Sequence, residues 1–235
     1  MAAGVGSRFG AHTQSKPKGF VCVGGMPMII RSIENLLSVG MEKIIIGTGY
    51  QSSYYEELAK TYPQITCYQS DKYAETNSMY TLYYCGHLMG NDDFLLLESD
   101  LIYERNALSI LINSDYPNAT LLTSPAKQQD GYYLFADKEG FLSDCTTDTG
   151  KISLCAGELV GIHKISNILY QKMRHWYGKI WQQQPKLGYE YALVEMSRQG
   201  EKIHLSKENL FWYEIDDEAD LLYAEKNIIH KIRNS

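Results

Sequence analysis

The sequence predicts an α/β fold, a mostly parallel sheet with helices on both faces, and three observations carry that prediction. Through the first 125 residues, apolar runs of strand length alternate with amphipathic runs of helix length. Two blocks of consecutive apolar residues, Ile44-Ile45-Ile46 and Leu95-Leu96-Leu97, suit strands buried on both faces. A glycine-rich stretch opens the chain, from Gly4 to Gly10, and such stretches serve as phosphate-binding turns in sheets of this kind.

The elements follow in order. Residues 27–39 read as a helix: Pro27 suits its first turn, Ile29, Ile30, Ile33, Leu36 and Leu37 share a face, and Gly40 stops it. A buried strand is predicted over 43–48, a helix over 53–61 ended before Pro63, and a strand over 65–68. Asn77 and Ser78 sit where a helix N-cap belongs, ahead of Met79, Leu82 and Tyr83. Strand 94–97, helix 104–113 and strand 119–123 complete the first half.

Residues 127–162 differ. Short alternating runs are broken by Asp130-Gly131, Glu139-Gly140 and Thr149-Gly150, which predicts antiparallel hairpins forming a lid or small lobe. Helices return at 166–181 and 188–199, strands at 203–205 and 211–215, and a last helix at 217–232 with Leu221, Leu222, Ile228, Ile229 and Ile232 on one face. The whole chain, 1–235, reads as one domain: a core over about 1–125, the lid region over about 126–205 and a return to the core over 206–235.

A chain of 235 residues, 44% hydrophobic, is long enough for one large domain with its own core. The net charge of −6 provides no basic field for a nucleic-acid backbone, and no apolar run reaches membrane-spanning length. The odd set Cys22, Cys67, Cys85, Cys145 and Cys155 lacks CxxC spacing and reads as free thiols, so a cytoplasmic location is expected. Most of the nineteen tyrosines read as surface residues, and the six histidines form no motif.

The stretch Ala2-Ala3-Gly4-Val5-Gly6-Ser7-Arg8-Phe9-Gly10 carries the most chemistry. Small residues let backbone N–H groups approach phosphate oxygens, Arg8 adds a guanidinium fork and Lys18 a point charge. A dinucleotide fingerprint fails at Phe9, where its third glycine belongs, and a Walker loop is absent. A purely structural glycine turn is the competing reading. The strand that should feed such a loop is not encoded ahead of Ala2, and an N-terminally cut chain is expected.

Ala2-Ala3-Gly4-x-Gly6-Ser7-Arg8 followed by Lys16-Pro17-Lys18 resembles the signature of the sugar-phosphate and phosphocholine nucleotidyltransferases. The segment Ser70–Tyr83, Leu97-Glu98-Ser99-Asp100 and Tyr213-Glu214-Ile215-Asp216 continue the likeness, which runs along nearly the whole chain. Lys18–Phe20, Ser32–Leu36, Glu98–Glu104 and Gly157–Ile162 bring it nearest to the 2-aminoethylphosphonate cytidylyltransferases. The resemblance implies a Rossmann-like mixed sheet and an enzyme using CTP and Mg²⁺, with a small amino-bearing phosphonate or phosphate as acceptor. It leaves open an aminotransferase domain, fused or associated, and a homo-oligomer.

It also implies roles. Arg8 and Lys18 would neutralise the triphosphate. Ala2, Ala3, Gly4, Gly6, Ser7, Asn77 and Ser78 would hold the nucleotide. Asp100 and Asp216 would bind the metal, against a plainer reading of each as a turn or helix cap, with Asp217 the better cap. Candidates for the acceptor's amine are Tyr132, Glu158, Tyr189 and Glu190, while Trp212, Tyr133 and Tyr191 offer rings for a quaternary ammonium.

Overall fold

The computed structural model describes residues 1–4, 6, 8–9, 16–125 and 131–234. The expectations for Ser7 and for the turn residue Asp130 lie outside the described residues. β1 (Cys22–Val23) and β2 (Met26–Pro27) make a small hairpin, with Gly24 and Gly25 at positive φ between them. α1 (Met28–Ser38) buries Ile29 and Ile33. β3 (Ile44–Thr48), α2 (Ser53–Thr61) and β4 (Ile65–Gln69) form a parallel βαβ unit, with Ile44 opposite Ile65. α3 (Ser78–Tyr84) begins at Asn77, whose side chain caps it by accepting from the Ser78 N–H.

β5 (Phe94–Leu97) and β6 (Leu101–Tyr103) flank the turn at Glu98–Asp100. α4 (Asn106–Ile112) and β7 (Ala119–Thr123) follow. The hairpin β8 (Tyr133–Ala136) and β9 (Leu142–Thr146) leads through a 3₁₀ turn at Thr149–Leu154 to the long β10 (Gly157–Ile165). α5 (Asn167–Ile180), α6 (Tyr189–Arg198), β11 (His204–Lys207), β12 (Trp212–Glu214), α7 (Glu218–Asn227) and α8 (Ile229–Asn234) complete the chain.

The main sheet is mixed. Its order is β11-β7-β10-β8-β9, with β5 also on β10, and helices flank it. β10 is its organiser. One edge pairs with β7; the other pairs first with β8 and then with β5, all antiparallel. The predicted antiparallel hairpins therefore continue the sheet. Between its two halves β10 bulges at Gly161, whose φ of 82° a side chain rarely tolerates. A Cβ there would also lie 2.8 Å from Glu98 Oε2, so this glycine makes room for a site residue.

The βαβ unit stands apart from that sheet. Ala2 bridges in parallel to Thr48, and its N–H donates to the Gly47 carbonyl over 2.8 Å. Beyond this bridge a cavity of about 410 Å³ separates β3 from β5, lined by Ile44–Gly47 and Phe94–Ser99.

Two expectations need correction. The last helix is two, parted at Ile228, and Leu222 is 65% exposed while Ala224 is buried. Leu221 and Leu222 are about 100° apart around a helix, so both cannot face the core, and Ala224, one turn on from Leu221, takes the inner place. The tyrosines are not mainly surface residues. Tyr55, Tyr103, Tyr133, Tyr170, Tyr177 and Tyr189 are fully buried, where each ring supplies core volume, and the Tyr170 hydroxyl donates to the Leu82 carbonyl at 2.7 Å. Among the described residues no helix is long and apolar enough to cross a membrane.

Candidate active site

Two strand ends meet over one cavity. β12 pairs antiparallel with β6, Glu214 opposite Leu101, and the Ile215 N–H donates to the Asp100 carbonyl at 3.0 Å. That register sets Asp100 and Asp216 side by side, although 116 residues separate them in sequence. Neither caps a helix. Asp217 does so for α7, accepting from the Asp220 N–H, and Asp216 is left to face inward, 3% exposed. Its own N–H is held by Asp220 Oδ2 at 2.9 Å.

Lys18 reaches between the two carboxylates from the 3₁₀ turn Lys18–Phe20, at 2.6 Å from Asp100 Oδ2 and 2.6 Å from Asp216 Oδ1. Burial alone would lower its pKa; Asp100 and Asp216 outweigh that and raise it, so Lys18 stays charged. Arg8 donates to the same Asp216 oxygen at 2.9 Å and is 56% exposed. Lys16 does not reach the cavity.

The cavity, about 340 Å³, has one wall of Ala2, Ala3 and Gly4 from the opening segment, with Thr76, Asn77 and Ser78 from the start of α3. Gly6 is not among its lining residues. Asn77 and Ser78 are partly committed: Asn77 Nδ2 donates to the Lys186 carbonyl, and Ser78 Oγ accepts from the Tyr189 N–H at 3.0 Å.

The opposite wall is acidic. Glu98, Glu190 and Glu214 line it with Tyr132. Carboxylate oxygens of Glu98, Asp100 and Glu214 lie within 4.8 Å of one another. The pKa of Glu98 is pushed well up, first by burial and then by Glu214, Asp100 and Glu190. Glu190, in the first turn of α6, is 6% exposed, and its Oε2 has no hydrogen-bond partner. Burial lifts its pKa to about 7. Five carboxylates, at 98, 100, 190, 214 and 216, thus face two cations, Lys18 and Arg8. An all-oxygen donor set crowded against its own repulsion suits a hard divalent cation such as Mg²⁺. Glu98 and Glu214 were given no role by the sequence reading, yet a signal existed: Glu-x-Asp recurs just after β5 and across the end of β12, within two segments that carry the family likeness.

Of the four residues expected at the acceptor, Tyr132 and Glu190 line the cavity and Glu158 and Tyr189 do not. Glu158 lies in β10 between β7 and β8, 1% exposed, and it packs on Gly131. Tyr189 is fully buried behind the wall, donating to Glu98 Oε1 at 2.6 Å. The predicted ring cage also thins. Trp212 is buried and donates to Thr123, and Tyr133 is a core strand residue, which leaves Tyr132 and Tyr191 edge to face at 5.9 Å.

Residues 1–156 match the MobA-like NTP transferase domain. The chain belongs to that family. This MobA-like transferase is 30% identical over 102 residues to the 2-aminoethylphosphonate cytidylyltransferase of Lancefieldella rimae, a stretch covering 43% of the chain and 42% of the relative. It is 33% identical over 106 residues to the choline-phosphate cytidylyltransferase of Haemophilus influenzae, covering 45% and 44%. Each match spans under half the relative's length. The fold superposes on the CTP:phosphocholine cytidylyltransferase of Streptococcus pneumoniae with a TM-score of 0.78 at 23% identity, covering 96% of this chain and 95% of that one, a likeness of fold. A nucleotidyltransferase domain of this family makes the chain an enzyme of that class.

Proposed function

We propose that this nucleotidyltransferase moves CMP from CTP to 2-aminoethylphosphonate and releases pyrophosphate. The supporting observation is the Glu190 Oε2 left without a partner in a wall shared with Glu98 and Glu214. A primary ammonium has three N–H donors and can satisfy such a wall; a trimethylammonium has none. The two rings of Tyr132 and Tyr191 form less of a cage than a quaternary ammonium requires.

A phosphonate oxygen, ionised near neutral pH, attacks the α-phosphorus of CTP in line with the departing pyrophosphate, so no general base is needed. Asp100 and Asp216 would hold a Mg²⁺ ion, whose charge offsets that of the triphosphate. Lys18 and Arg8 stabilise the charge that gathers around the α-phosphorus. Ala2–Gly4, Asn77 and Ser78 orient the nucleotide, and the ammonium seated on the acidic wall aims the phosphonate.

Pyrophosphate release is measured with CTP and Mg²⁺ against 2-aminoethylphosphonate, phosphocholine and glucose-1-phosphate in parallel. The largest kcat/KM is expected with 2-aminoethylphosphonate. Release with phosphocholine alone would transfer the reading to that acceptor, and release with none would end it. Asp100→Ala should lower turnover by about 100-fold or more with an unchanged circular dichroism spectrum.

A further inference from the structure

Behind the acidic wall runs a row of side chains with no place in the reaction described so far. Thr120 on β7 and His163 on β10 are register partners, and His163 is also the partner of Leu96 on β5. Leu96 and Glu98 are two residues apart, so the chain's alternation carries Glu98 toward the same face. The first turn of α6 brings Tyr189 onto it. Thr120 Oγ1 lies 2.5 Å from His163 Nδ1, His163 Nε2 lies 3.1 Å from Tyr189 Oη, and Tyr189 donates to Glu98 Oε1 at 2.6 Å. The imidazole meets the phenol ring edge to face at 5.1 Å. Thr120, His163 and Tyr189 are at most 1% exposed.

The proton count fixes the direction of this row. Tyr189 has one hydroxyl proton and gives it to Glu98. Its oxygen must then accept from His163, which puts the imidazole proton on Nε2. Nδ1 is left as an acceptor and takes the Thr120 hydroxyl proton. Burial holds the imidazole neutral, with its pKa lowered to about 3, so the row adds no competing positive charge beside the wall. Every donor is used once, and the row ends on Glu98 Oε1, which accepts from Tyr189.

We propose that Thr120, His163 and Tyr189 are positioning residues that hold Glu98 as an acceptor turned to the substrate's ammonium group, and that they thereby set the preference for an amino-bearing acceptor. This rests on the amino-acceptor reading above. The row meets the nucleotide wall only through the backbone N–H of Tyr189, which donates to Ser78 Oγ and is kept when the side chains are replaced, so loss of the row should weaken recognition of the amine and leave handling of the triphosphate intact.

The test compares 2-aminoethylphosphonate with ethylphosphonate, the same acceptor without its amine, in the intact chain and in Tyr189→Phe, His163→Leu and His163→Gln. The wild type should prefer the amino acceptor. Tyr189→Phe and His163→Leu should reduce that preference about tenfold through KM for 2-aminoethylphosphonate, the size expected for a hydrogen bond to a charged group. The KM for CTP and the rate with ethylphosphonate should stay within about twofold, since a merely structural defect lowers both acceptors together. His163→Gln, which keeps an N–H donor, should recover most of the preference. ¹⁵N spectra with 2-aminoethylphosphonate bound should show His163 protonated at Nε2. An undiminished preference in Tyr189→Phe, equal losses with both acceptors, or protonation at Nδ1 would overturn the positioning role while the acceptor reading stands. A wild type that gains nothing from the amine would overturn both.

Discussion

Glu190 is the residue whose burial has the plainest cost. Its carboxyl titrates near 7 in the folded chain because burial disfavours the charged form, against an ordinary value of 4.5. Between those values the folded state holds a proton that the unfolded state has lost. Stability from this group is therefore greatest below pH 4.5 and falls as pH rises through 7. Glu190→Gln, which keeps the shape without the charge, should raise stability at pH 8 by up to about 3 kcal/mol and make no difference near pH 4. Urea unfolding without Mg²⁺ at the two pH values checks it; a pH-independent difference would show that ionisation of Glu190 is not the cause. Asp100, Asp216 and Lys18 were legible in the sequence, because each sits in a short motif that marks a strand end or a turn. Glu98 and Glu214 were legible in principle from the repeated Glu-x-Asp. His163 was not: its partners Thr120 and Tyr189 are 43 and 26 residues away, and only the strand register and the seat of α6 bring them together. Glu158 and Tyr189 were misplaced for a related reason, since the chemistry of a side chain does not reveal which way its element turns it.

At the scale of elements, β10 deserves its glycine. Gly161 combines a φ of 82° with an approach to Glu98 that leaves no room for a methyl group. Gly161→Ala should destabilise the fold by about 1–3 kcal/mol, the cost of a strained backbone position, and displace Glu98 from the acidic wall. Thermal melts together with KM for the amino acceptor measure the two effects. A variant of wild-type stability and KM would show that the bulge is not needed. The long apolar strands and the amphipathic helices matched their predicted spans within a few residues. β6 was missed because three residues leave no periodicity to read, and it is β6, through its pairing with β12, that brings Asp100 and Asp216 together.

For the whole molecule, the feature with the widest reach is the cavity between β3 and β5. Among the described residues, the unit spanning β3, α2 and β4 has no strand pairing to the main sheet, and it meets the opening segment through the Ala2 bridge. Its apolar residues form their own cluster with α1, around Ile33, Ile46 and Tyr55. Such a unit should open as one cooperative piece at lower free energy than the body of the protein. In hydrogen exchange followed by mass spectrometry, peptides from Ile44–Gln69 should lose protection before those from β7 and β10; equal protection would refute the division. The same piece carries Tyr55, which lines the cavity of the candidate active site. A nucleotide resting against Tyr55 and against the Asp100–Asp216 pair would span both pieces and act as a rivet, slowing exchange in Ile44–Gln69 more than anywhere else. In this 235-residue chain the unit of β3, α2 and β4 would then take its rigidity from a bound nucleotide.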